Sequence, residues 1–135
     1  DRLSRGLGDV YKRQVSITWP PRGCETPSKA TKGGWRVKEI NDKITLDKVM
    51  HYLNLTKAAR EKATAIHEPK SQQGQMLTIL LRMADDYAND AQYFLEMGDY
   101  IRAFGAINYA HAWIDAGIKL RLLDGHGDDD LFTLP

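Results

Sequence analysis

Apolar residues recur at helical spacing through the second half of the chain. The clearest run follows successive steps of three, four, three, four and three residues, and its members are Leu77, Leu80, Ala84, Tyr87, Ala91 and Phe94. Such steps place side chains on one face of an α-helix. The pattern predicts a helix over residues 71–97.

Two further helices are predicted on either side of this one. Thr45 is suited to cap a helix over residues 45–66, because its hydroxyl can accept a hydrogen bond from a first-turn backbone N–H. Gly98 can adopt the left-handed conformation that ends a helix, and Asp99 can cap the next one, over residues 100–123. An adjacent stop and start force an antiparallel hairpin. The predicted fold class is therefore all-α, an antiparallel three-helix bundle.

The third predicted helix carries two apolar stripes and is expected to be the central one. The small-residue stripe is expected to let the alanine-rich first helix approach around Trp113. The other stripe is expected to face the second helix and comprises Phe104, Ile107, His111, Ile114 and Ile118.

The residues before the bundle lack a periodic pattern. Residues 4–14 resemble the translation of a transposase-type sequencing adapter, so residues 1–14 are interpreted as an adapter-derived scar. Residues 15–43 mix proline, glycine and scattered charge and are predicted to be a disordered leader or linker. The bundle domain is expected to occupy residues 44–135.

The charge distribution limits the classes of partner. The formal net charge is +1, but residues 1–14 carry four basic and two acidic side chains, and residues 44–135 carry nine basic and 13 acidic ones. An acidic body lacks the concentrated basic face that binds phosphates, so no nucleic-acid partner is expected. No apolar run approaches the length of a membrane span, so no membrane association is expected. Cys24 is the single cysteine and cannot form an internal disulfide, so nothing requires an oxidising compartment and the cytoplasm is the predicted location.

A polar seam is the main candidate for chemistry. With the turn at Gly98 and Asp99, the hairpin register is expected to place Asp86 opposite His111 and Arg82 opposite Asp115. A histidine between carboxylates suits proton transfer, ligand binding or a metal, but paired charges can also do no more than set the helix register. The seam, interpreted as a ligand or partner surface, comprises Arg82, Asp86, Asp90, Asn108, His111 and Asp115. No catalytic residue, metal ligand or cofactor is assigned.

Residues 93–104 (YFLEMGDYIRAF) and 108–117 (NYAHAWIDAG) resemble a small archaeal family, domain of unknown function 357, and residues 129–133 (DDLFT) resemble its usual ending. The resemblance covers residues 44–133 or so. It implies a three-helix bundle, an archaeal cytoplasmic source and no established activity. It also implies that related domains can be joined to nucleotidyltransferases, which makes a nucleotidyltransferase a candidate partner.

Two other resemblances compete. The stretch around Gly98 is similar to tetratricopeptide repeats, but no second copy follows at that period. It is also similar to helical ribonuclease domains of toxin–antitoxin systems, which need an arginine closely followed by a histidine, whereas Arg102 precedes His111 by nine positions. The sequence predicts a helical accessory or interaction module that binds a protein partner or itself. The alternative is a metal- or nucleotide-binding enzyme that uses Asp86, Asp90, His111 and Asp115.

Overall fold

Three helices make up most of the computed structural model, which describes residues 40–135. The predictions made for residues 1–39 lie outside this range. Residues Ile44–Pro135 form one compact unit. Its elements in chain order are helix α1 (Leu46–Lys62), strand β1 (Thr64–Ala65), helix α2 (Gln72–Glu96), helix α3 (Tyr100–Lys119) and strand β2 (Leu123–Asp124). The predicted three-helix bundle is confirmed.

Each helix begins after a residue whose side-chain oxygen accepts a hydrogen bond from the backbone N–H three residues later. Thr45, Ser71 and Asp99 do this for α1, α2 and α3, at 3.3, 3.0 and 3.1 Å. These bonds satisfy N–H groups that have no partner inside the helix. Between α2 and α3, Gly98 has a φ of 74°, a conformation that other residues adopt at a cost. The predicted stop and start at the hairpin turn are confirmed.

Two helices end earlier than the sequence predicts. Helix α1 stops at Lys62 instead of residue 66, and α3 stops at Lys119 instead of residue 123. The residues that follow form an antiparallel ribbon in which β1 pairs with β2. The ribbon continues with a hydrogen bond from the Ile66 N–H to the Leu122 carbonyl, 3.1 Å long. Backbone groups of both segments thus find partners in each other, which no helical pattern in either segment would reveal.

Helix α3 lies at the centre, as predicted. It packs against both α1 and α2, and α1 and α2 contact each other little. Many of the buried residues between α2 and α3 are alanines, which let two helix backbones approach closely. The core comprises Val49, Ala59, Leu77, Ala84, Tyr87, Ala91, Ala103, Ala106, Ile107, Ala110, Ile114, Ile118, Leu122, Leu123 and Phe132.

The predicted orientation of the α3 stripes is wrong. Phe104 packs edge-on against Tyr52 of α1, with ring centroids 5.3 Å apart, so its stripe faces α1. Tyr109 packs against Tyr87 of α2 at 4.4 Å, and Trp113 lies beside Tyr109 at 5.8 Å. The side of α3 that carries Trp113 therefore faces α2. Periodicity identifies the two stripes but does not say which neighbour covers which one.

The loop before α2 depends on a close approach at Gly74. A Cβ atom at this position would lie 2.1 Å from the backbone oxygen of Glu68, and backbone cannot easily move away. We expect Gly74→Ala to lower the free energy of unfolding by about 1–3 kcal/mol, as measured by chemical denaturation.

Gly105 of α3 is the matched control, because an added Cβ there meets nothing within 4 Å. We expect Gly105→Ala to raise the free energy of unfolding by about 0.5–1 kcal/mol, since alanine favours the helix. The same sign of effect at both positions would contradict the close approach.

Candidate functional site

His111 bridges two other parts of the molecule. Its Nδ1 atom lies 3.0 Å from the hydroxyl of Thr56, a buried residue of α1, and its Nε2 atom lies 2.8 Å from the backbone carbonyl of Leu131. A carbonyl only accepts hydrogen bonds, so Nε2 carries the proton that is donated to Leu131. In the neutral ring Nδ1 then accepts from the Thr56 hydroxyl. Both nitrogens of the imidazole are therefore engaged by the fold.

Asp115 holds the same C-terminal segment one helical turn further along α3. Its carboxylate accepts from the backbone N–H of Thr133 at 2.8 Å and from the Thr133 hydroxyl at 3.2 Å. One turn beyond, the Lys119 ammonium donates to the carbonyl of Leu134. We call His111, Asp115 and Lys119, together with residues 131–134, the C-terminal latch.

Apolar side chains accompany the polar bonds of the latch. Phe132 is buried in the core cluster that contains Ile118 and Leu122, and Leu131 and Leu134 pack against this cluster. Burial of these side chains supplies the larger share of the attachment, because apolar area contributes more than exposed hydrogen bonds do. The latch thus covers the end of the core next to the β-ribbon.

Asp128 fixes the turn that leads into the latch. Lys62 donates to its Oδ2 atom at 2.5 Å, and its Oδ1 atom accepts from the N–H groups of Asp130 and Leu131 at 3.1 and 3.0 Å. The bond from Lys62, aided by the backbone bonds, lowers the pKa of Asp128 from its usual 3.8. Because the pKa of Asp128 is lower in the folded state, its ionised carboxylate stabilises the fold at pH values above the usual pKa. This contribution is lost as the pH falls through the lowered, folded-state pKa.

The structure divides the predicted polar seam. His111 and Asp115 bond to α1 and to the C-terminal segment, whereas the seam prediction paired them with Asp86 and Arg82 of α2. Within residues 40–135 no hydrogen bond or ion pair joins the three α2 members of the seam to the three α3 members. The hairpin register sets the level of each residue along the helix axis but not the side of α3 on which it lies. On α2, Arg82 and Asp86 are exposed and Asp90 is half-buried.

The three α3 members of the seam stay together on the side of α1. Asn108, His111 and Asp115, with Ala112 of the same helix, line a cavity of about 180 Å³, and its remaining walls come from α1. The His111 Nε2 atom lies 4.0 Å from Asp115, while the Asn108 side chain donates to the Phe104 carbonyl. A ligand role for the six residues stays a prediction.

Sequence reasoning missed Thr56 and the segment that covers α3. Thr56 is the buried polar residue of α1, and it lies seven positions after Val49 and three before Ala59, in phase with the buried face. Its place in that stripe was a usable signal for a buried hydroxyl that needs a partner. The contacts of residues 131–134 with α3 had no such signal, because the C-terminal segment has no helical periodicity that could be matched to that of α3.

Residues 40–135 contain neither a metal-binding cluster nor a membrane-spanning helix. No three His, Cys, Asp or Glu side chains within residues 40–135 are placed to hold a metal ion. No helix in that range is long and apolar enough to cross a membrane.

The fold and the latch define a small α-helical bundle domain. The polar residues of its latch bond to other segments of the same chain. The family model described as "Protein of unknown function (DUF357)" matches residues 51–123, more than half of the chain. The chain belongs to this family, as the resemblance implied. Neither a curated protein nor a solved structure matches the chain.

The latch can be tested by removing its imidazole. We expect His111→Ala to lower the free energy of unfolding by about 1–3 kcal/mol, because it removes two hydrogen bonds and leaves the Leu131 carbonyl without its donor. Hydrogen exchange of the Thr133 amide should accelerate in the same variant. His51, an exposed histidine of α1, is the control, and His51→Ala should change neither quantity. Equal effects of the two substitutions would contradict a structural role for His111.

Proposed function

We propose that this domain is a helical accessory module that binds another protein surface and carries out no chemistry of its own. The observation that carries this proposal is an apolar cavity of about 440 Å³ at the end of the hairpin formed by α2 and α3. We call its aliphatic lining the end patch, which comprises Met76, Ile79, Leu80, Leu120 and Leu122.

The end patch is unusually open for aliphatic residues. Met76, Ile79 and Leu120 keep 52%, 63% and 65% of their surface exposed to solvent. A single exposed leucine is ordinary, but a contiguous group of apolar side chains around a cavity is typical of a protein-binding surface. Met76 adds a flexible side chain, which can adapt to the shape of a partner.

The polar residues favour a binding module over an enzyme. A general base needs a nitrogen or oxygen atom that can reach a substrate, and both imidazole nitrogens of His111 already bond within the fold. Both carboxylate oxygens of Asp115 are likewise engaged by Thr133. A nucleotidyltransferase as the partner stays a prediction.

Site-directed photocrosslinking tests the proposal. The full chain with Cys24→Ser and Ile79→Cys would carry a benzophenone at position 79 and be illuminated in an extract of its native host. Because position 79 lies in the end patch, we expect an adduct with a protein, either another chain or a second copy of this one. Excess unlabelled wild-type protein should suppress the adduct, since a specific site saturates.

Asp47, an exposed residue in the first turn of α1, provides the matched position for the control probe. The probe at Asp47→Cys should give no adduct that excess protein suppresses. Failure of the Ile79 probe to give a saturable adduct would overturn the proposed function.

A further inference from the structure

Helix α2 carries a second stripe of residues at helical spacing, displaced by one residue from the stripe that faces α3 and therefore turned by about 100° from it. Its steps are three, four, three, four, three and four, so these residues share one face, which we call the outer face of α2. Tyr93 and Met97 keep 58% and 66% of their surface exposed, in addition to the open Met76 and Ile79. The outer face comprises Met76, Ile79, Met83, Asp86, Asp90, Tyr93 and Met97.

Two pairs of residues are placed symmetrically about the centre of the outer face at Asp86. Arg82, an exposed residue at its edge, and Asp90 each lie four residues from this centre and have opposite charges. Ile79 and Tyr93 each lie seven residues away, and both are apolar. Met76 and Met97 lie near the two ends of the face, ten and eleven residues from its centre.

This order is self-complementary when two copies of α2 lie antiparallel. A two-fold axis at Asp86 places Arg82 of one copy opposite Asp90 of the other, and this pairing occurs twice. It also places Ile79 opposite Tyr93. A parallel pairing would instead place Arg82 opposite Arg82 and Asp90 opposite Asp90, which repel. The charges therefore select the antiparallel arrangement.

The cavity of the end patch fits the same arrangement. The axis at Asp86 brings Met97 of the second copy to the level of Met76, which lines this cavity of about 440 Å³. Methionine has a long, unbranched and flexible side chain that fills irregular apolar spaces. Two-fold symmetry fills both cavities in the same way.

We propose that the outer face of α2 pairs antiparallel with the outer face of a second copy of this chain. The inference rests on the proposed function and names the partner of the same surface. A two-fold dimer requires a self-complementary face, and the opposite charges of Arg82 and Asp90 on either side of Asp86 give the outer face this property.

Analytical ultracentrifugation of the full chain over a range of concentrations tests the proposal. We expect a reversible monomer–dimer equilibrium, with the dimer at about twice the chain mass of 15.3 kDa. Ile79→Glu should abolish the dimer, because it buries a charge in the interface. The control Leu46→Glu alters an exposed leucine of α1, outside the outer face, and should leave the equilibrium unchanged. A wild-type chain that is monomeric at every concentration would overturn the proposal.

Charge exchange tests the register. Arg82→Asp and Asp90→Arg should each weaken the dimer on the order of tenfold, because each creates two repulsive pairs. The double variant should restore the wild-type dissociation constant to within about twofold, because each aspartate again faces an arginine. Failure of the double variant to recover would overturn the antiparallel register.

Substitutions of Asp86, at the centre of the interface, test the dimer independently. Asp86→Asn removes one like-charge pair across the axis and should tighten the dimer by about two- to fivefold. In a Cys24→Ser background, Asp86→Cys should form an intermolecular disulfide under mild oxidation, whereas Asp47→Cys should not. Equal disulfide yields at the two positions would overturn the proposal.

These results separate the dimer from the function on which it rests. A monomeric chain whose Ile79 probe still gives a saturable adduct with another protein would overturn the dimer and leave the proposed function standing. A monomeric chain without any saturable adduct would overturn both.

Discussion

The close approach of α2 and α3 is the contact on which the rest of the domain depends. It requires a tight reversal, which Gly98 and the Asp99 cap supply, and small side chains along the interface, which the buried alanines supply. Alanine contributes little apolar area, so the interface gains its stability from length and closeness rather than from bulk. Helix α1 and the C-terminal segment both pack on this hairpin.

Because α3 is central, it packs against three neighbours. Helix α2 covers the side with Tyr109 and Trp113, α1 covers the side with Phe104, and the C-terminal segment covers the remaining gap through the latch. His111 lies where α1 and the C-terminal segment meet, which explains why a polar ring with two bonding nitrogens suits this position. A polar group placed between two segments favours one register over others, since a slipped register would leave its partners unsatisfied.

Local signals in the sequence predicted the helices and the hairpin well. They predicted poorly which face of each helix contacts which neighbour. The caps at Thr45 and Asp99 and the six-residue stripe of α2 act over one or two turns, so the helices and the hairpin followed from them. The β-ribbon, the covering of α3 by residues 131–134 and the choice of neighbour for each stripe depend on how distant segments meet. His111 was expected to meet Asp86 of α2 but bonds to Thr56 of α1, because the hairpin register does not fix the rotation of α3 about its axis.

Helix α2 has two periodic faces, and they differ in exposure. The stripe that faces α3 is buried at Leu77, Ala84, Tyr87 and Ala91, whereas the outer face is open to solvent at Met76, Ile79, Tyr93 and Met97. Exposed apolar side chains add no stability to a single copy and favour aggregation, so a contiguous group of them is typical of a binding surface. The charges among them, Arg82 on one side of the centre and Asp90 on the other, would give such a face direction as well as affinity. The outer face is therefore better explained by a second surface that covers it than by the fold of a single copy.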